Sequence, residues 1–209
     1  MSGTNIISGF EITNNMIKAL HEFKVGIVSG LAYGIDIIAH RKANELNIPN
    51  FAVLGSGHLC VYPKHHQKEL EKIREIGAVI SEFPPNTKPT KFNFPKRNRI
   101  IAGMSEATVV IESPKYGGAI ITAEIANGYN REVMAVPGSV FSNLSEGCNE
   151  LIKKNKAHLL ANTTDFFELM NWKKTSKNNE PKIQLSQNES VIVNLMNREG
   201  GIHFDKLVE

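Results

Sequence analysis

The chain has 209 residues, 41% hydrophobic and 22% charged, enough apolar content for one well-packed domain with a small appendage. No apolar run is long enough for a membrane span, and the first residues lack a signal-peptide pattern, so neither a membrane partner nor export is expected. Two widely separated cysteines, Cys60 and Cys148, argue against a disulfide framework or structural zinc and fit a reducing cytoplasm, while a formal net charge of +3 does not by itself announce a nucleic-acid binder.

In chain order, the opening "SGTNIISG" has a turn-like Gly3-Thr4 with almost nothing before it and reads as the end of a clipped first strand. Five short apolar runs then read as buried strands: "VGIVS" (25–29), "NFAVL" (50–54), "GAVIS" (77–81), "ATVVIE" (107–112) and "EVMAVP" (132–137). Amphipathic stretches lie between them at 34–46, 64–76 and 119–129; the first puts Ile35, Ile38, Ala39, Ala43 and Leu46 on one side. Alternation of this kind predicts an α/β domain over residues 1–170: a mostly parallel sheet with helices on both faces, with ligands beyond the carboxyl ends of the strands. Residues 171–187 are polar and aperiodic and read as a linker. Residues 188–209 bring Val191, Ile192, Leu195 and Met196 to one helical face, break at Gly200-Gly201 and open a second helix, as at the start of a helix-turn-helix or winged-helix module.

Three turns at predicted strand ends carry glycine. "VSGLAYGID" (28–36) places Ser29, Gly30 and Gly34 between a strand and a helix, where the glycines serve either turn geometry or an anion at the helix start. "VLGSGHLCVYP" (53–63) has G-x-G, but Cys60 replaces the third glycine of a dinucleotide fingerprint and no acidic ribose partner follows, so a nicotinamide cofactor is weakly supported. No P-loop is present, and no cofactor is expected. "ESPKYGGAIITAE" (112–124) offers Gly117, Gly118 and Thr122 either to a phosphate or to tight helix–sheet packing.

Catalytic readings find little support. Ser29 and Ser56 lie at strand ends but not in a nucleophile elbow. His58, His65 and His66 lack a carboxylate partner, which argues for a solvated loop rather than metal; Asp36 and His40, one helical turn apart, suggest a local hydrogen bond rather than a dyad. No catalytic residue is assigned.

The segment "KPTKFNFPKRNR" (88–99) is different. Between Phe83 and Ser105 there is no acidic residue, yet Lys88, Lys91, Lys96, Arg97 and Arg99 fall there with Phe92 and Phe94 among them, and Pro89 and Pro95 argue against a regular helix. A charge run is usually a solvated face. Cations interleaved with aromatic rings also suit single-stranded nucleic acid, because the cations take phosphates and each ring can stack on a base, unless the rings anchor the loop in the core.

Taken together, "SGLAYGID", "AVLGSGHLCVYP", "SEFPPNTKPTKFNFPKRNRIIAGMS", "GGAIITAEIA" and "VMAVPGSVFSNLSEGCNELI" closely resemble the DNA-processing protein A (DprA or Smf) family from about Gly26 to Leu160. The resemblance implies an extended Rossmann-like fold that binds single-stranded DNA, loads the RecA recombinase in natural transformation and forms a homodimer. It implies phosphate contacts at Lys64 and Lys91, a stacking ring at Phe94, Arg97 lining the pocket, and Asn98 and Arg99 holding the loop on the glycine turns. Ser29, Gly30, Gly34, Gly117, Gly118 and Thr122 would complete the pocket, and Ile125, Tyr129, Cys148, Leu151 and Ile152 would form the dimer surface. One departure stands out: the family's first strand ends in G-[S/T]-R, whereas Gly3-Thr4 is followed by Asn5, and the family's usual N-terminal helical domain has no counterpart in this sequence. The competing expectation is an enzyme resembling the lysine-decarboxylase-like phosphoribohydrolases. Their P-G-G-x-G-T-x-x-E signature is only partly matched, with Tyr116 for the proline, Ile120 and Ile121 at the Gly-Thr positions, and Glu124 retained.

Overall fold

The computed structural model describes residues 4–173, and contacts divide the chain after Lys173. The module expected over 188–209, and all but the first three residues of the expected linker, lie outside the described residues.

Helix α1 (Thr4–Leu20) opens the domain where the sequence suggests a clipped strand. Gly9, Thr13, Met16, Ile17 and Leu20 are buried on it, spaced as one face of a helix. β1 (Ile27–Ser29), α2 (Ile35–Glu45) and β2 (Asn50–Val53) follow; a 3₁₀ turn (Lys64–His66) leads into α3 (Gln67–Ile76) and β3 (Ala78–Ile80). The second half runs α4 (Asn93–Met104), β4 (Ala107–Val110), α5 (Gly118–Gly128), β5 (Glu132–Ala135), α6 (Glu146–Lys153), β6 (His158–Leu159) and α7 (Thr163–Leu169). α7 has a full capping box, with Asn162 accepting from the Thr164 and Asp165 amides and Asp165 reaching back to the Asn162 amide.

Among the described residues all strand pairings are parallel, but they form two three-stranded sheets, β1-β2-β3 and β4-β5-β6. Val28 and Ser29 of β1, with Ala107 and Val109 of β4 and Ile111 just beyond it, line a common cleft of about 650 Å3. Apolar clusters flank the sheets: α1, α2 and α7 share one with Met134 and Leu160, α3 contributes Leu70 and Ile73 to another, and α5 and α6 pack on Val110 and Val133 in a third. The third cluster contains Cys148 and Leu151, both sealed from solvent. This corrects their assignment to a dimer surface, because their side chains are occupied in the core; Ile125, Ile152 and Tyr129 keep exposed area.

Candidate nucleic-acid interface

The segment after β3 is tied down by the backbone of the turn after β2. Gly57 donates to Thr87 O at 2.9 Å and Leu59 to Pro85 O at 3.1 Å, while Ser81 Oγ donates to Ser56 O at 2.7 Å. The Cys60 thiol also reaches Asn86 O at 3.4 Å. The chain then enters α4, contrary to the expectation that its prolines exclude a helix. Pro95 is the third residue of α4, within the first turn, where backbone N–H groups have no intrahelical partner, so a proline there removes no helix bond.

Helical spacing then decides which side chains face the cleft. Phe94, Arg97, Asn98 and Ile101 stand at i, i+3, i+4 and i+7 and all line it. Arg97 is only 4% exposed. Its Nη1 donates to Gly30 O at 2.7 Å and to Val53 O, joining the ends of β1 and β2, and its guanidinium carbon lies 5.9 Å from the Phe94 ring centre. Burial pulls its pKa below the ordinary arginine value, and the nearby Asp36 charge opposes that shift. Close approach requires glycine at Gly30 and Gly55: a Cβ at the first would lie 2.5 Å from the Arg97 guanidinium, and at the second 2.7 Å from the Phe94 ring. Asn98 Nδ2 donates to Gly118 O at 3.3 Å, and Arg99 pairs with Glu82 on the surface.

The glycine turns differ in what their polar groups do. Gly30 and Ala32 donate their N–H groups to Asp36 Oδ2 at 3.1 and 3.2 Å, so these amides are already occupied by a carboxylate of the same chain. Gly34, at φ 85°, opens α2. Across the cleft, α5 starts after Gly117 without a side-chain cap, and Thr122 Oγ1 donates back to Gly118 O at 3.3 Å. Asp36 and His40 do not bond to each other as expected. His40 is fully buried, with Nδ1 2.6 Å from Asn50 Oδ1, and burial lowers its pKa. Glu112, at the cleft floor, has its carboxyl pKa raised by burial despite a hydrogen bond from the Gly9 amide.

The two rings of the cationic segment are not sealed in the core. Phe92 is 69% exposed, with Lys91 Nζ 5.3 Å from its centre, and Phe94 is half-buried on the cleft wall. Lys64, Lys88, Lys91 and Lys96 are exposed, and among the described residues none has a carboxylate partner within 4.0 Å. Sequence reasoning overlooked two further rings on the same wall. Tyr62 lies 5.9 Å from Phe94 between ring centres, and Tyr33 lines the cleft edge-on to His66. The dipeptide Tyr62-Pro63 ahead of Lys64 was a signal for the first; nothing in the local sequence marks the second.

Comparison with known proteins agrees with this arrangement. The family model of DNA recombination-mediator protein A matches residues 5–171. The chain belongs to that family. Protein Smf of a Synechocystis strain is 41% identical over 153 residues, covering 73% of this chain and 38% of that protein. DNA processing protein DprA of Streptococcus pneumoniae is 40% identical over 146 residues, covering 70% of this chain and 51% of that protein. The chain therefore spans about two fifths to one half of these relatives. The crystal structure of DNA processing protein A from Streptococcus pneumoniae aligns with a TM-score of 0.68 at 35% identity, covering 80% of this chain and 57% of that one. A Helicobacter pylori structure, described for its unique single-stranded DNA binding mode, aligns at 0.70 with 26% identity, covering 78% of this chain and 73% of that one. The Rossmann-like α/β fold of the family is thus the fold of this chain.

Proposed function

We propose that the cleft binds single-stranded DNA, with phosphates held at its rim and bases directed inward. The observation that carries this reading is the pairing of surface lysines that have no carboxylate partner among the described residues, Lys64 and Lys91, with a wall that leaves Phe94 and Tyr62 part-exposed. Duplex DNA buries its bases, whereas an unpaired strand can use ring and cation together. The floor supports the same polarity. Asp36 and Glu112 line it, and the Arg97 guanidinium is engaged with backbone carbonyls, so the floor suits base edges better than phosphates. At the uncapped start of α5 the Gly117 amide is taken by Pro114 O and that of Ile120 by Gly117 O, which leaves the Gly118 and Ala119 amides suited to a phosphate at the rim.

Within its family, the chain's role on this reading is DNA processing in natural transformation: it protects incoming strands in the cytoplasm and presents them to the RecA recombinase. A homodimer would use the outer face of α5, where Ile125 and Tyr129 keep exposed area beside Ile121 and Tyr116, together with Ile152 of α6. The relatedness to DprA and Smf proteins supports this role. The phosphoribohydrolase alternative loses its acid: Glu124 faces away from the cleft, paired with Lys156 at 2.8 Å.

Lys91→Ala should weaken binding of an oligo-dT about ten-fold at moderate salt and reduce the slope of log affinity against log salt by about one, from loss of one phosphate contact. Fluorescence anisotropy across a salt series measures both. Unchanged affinity and slope would overturn the reading, and steady release of free base from nucleoside monophosphates would favour the enzyme.

A further inference from the structure

Leu31 lies in the left-handed backbone region, at φ 58°, which is disfavoured for a residue with a Cβ. It is held there from several sides. Its side chain is fully buried beside Ile37, Leu54 and Leu70, and its carbonyl lies 2.8 Å from His66 Nδ1. The amides on either side, Gly30 and Ala32, are taken by Asp36. A strained turn maintained by this many contacts invites the question of what it presents.

It presents Tyr33. The ring is 62% exposed and sits edge-on to His66, with centres 5.0 Å apart. His66 is itself buried and fixed by the Leu31 carbonyl, so Tyr33 leans on a rigid neighbour. The Gly30 and Ala32 amides are not free for a phosphate, whereas Tyr33 offers a ligand an open aromatic face. Phe94 and Tyr62 line the same cleft.

We propose that Tyr33 is a second base-stacking platform, so that the cleft holds two unpaired bases, one against Phe94 and one against Tyr33. This rests on the single-strand reading above. Stacking is tolerant of base identity, so the platform adds affinity without demanding a sequence.

The test measures wild type, Tyr33→Phe, Tyr33→Ala and Phe94→Ala against oligo-dT and against an abasic oligonucleotide of equal length. Circular dichroism and thermal melting verify the fold. Tyr33→Ala should bind oligo-dT about ten-fold more weakly. It should bind the abasic strand as wild type does, since the phosphates are unchanged, and Tyr33→Phe should retain wild-type affinity for both. If Tyr33→Ala binds oligo-dT normally while Phe94→Ala is weakened, the second platform is refuted and the single-strand reading stands. If neither variant distinguishes oligo-dT from the abasic strand, base stacking in the cleft is refuted altogether. Should Tyr33→Ala lose both ligands equally, the ring serves the turn's structure and the proposal fails.

Discussion

The turn after β1 and the turn after β4 look alike in sequence, each placing glycines between a strand and a helix, but the fold completes them in opposite ways. In the first, Asp36 takes the amides of Gly30 and Ala32, and Arg97 takes the Gly30 carbonyl. In the second, Asn98 and Thr122 donate to the Gly118 carbonyl, but no side chain caps the amides that open α5. A glycine-rich turn is therefore an anion site only if the surrounding chain leaves its N–H groups unused. The first turn carries an internal anion and serves as scaffold; in the second the Gly117 amide goes to Pro114 O, and the Gly118 and Ala119 amides stay open.

Three substitutions can break or sharpen this contrast. Arg97→Ala should have the largest effect, about 3 kcal/mol of stability or more, because it leaves the Gly30 and Val53 carbonyls without this donor in a buried setting and opens a void; urea unfolding measures it, and a loss below about 1 kcal/mol would show that the clamp matters little. Asp36→Asn keeps an acceptor for the two amides but removes the charge facing Arg97, and should cost about 1–2 kcal/mol by the same assay. A variant as stable as wild type would mean that the charge contributes nothing. Gly118→Asp makes the second turn resemble the first. A Cβ there meets nothing within 4 Å, so stability should change by no more than about 0.5 kcal/mol, while a carboxylate at the helix start should weaken oligo-dT binding about five-fold through repulsion. Unaltered affinity would remove α5 from the proposed phosphate contacts.

The sheet scaffold was largely legible because its strands are short apolar runs bounded by turns. β1, β2, β3, β4 and β5 each fall inside a predicted run, and α2, α3 and α5 match predicted amphipathic stretches within a residue or two apart from the 3₁₀ turn ahead of α3. The two ends of the site-bearing region were misread for different reasons. In α1, the turn-like Gly3-Thr4 resembles a strand end, whereas the spacing of Thr13, Met16, Ile17 and Leu20 is that of a helix. In α4, Pro95 reads as a helix breaker, but it falls in the first turn, where a proline costs no helix hydrogen bond. Had α4 been recognised, the spacing of Phe94, Arg97, Asn98 and Ile101 would have given the cleft face directly. The composition of the cationic segment pointed to its location, but it could not separate Arg97, clamped inside, from Lys91, outside. That distinction depends on which carbonyls lie nearby in space, as does the exposure of Tyr33.

The two cysteines offer an experimental handle. Cys148 has no exposed surface, and burial pushes its thiol pKa up to about 11, so alkylating reagents should pass it by while the domain is folded. Cys60 is part-exposed on the loop that holds the cationic segment. A dye attached there would report on the rim of the groove from beside it, without replacing any side chain assigned to ligand.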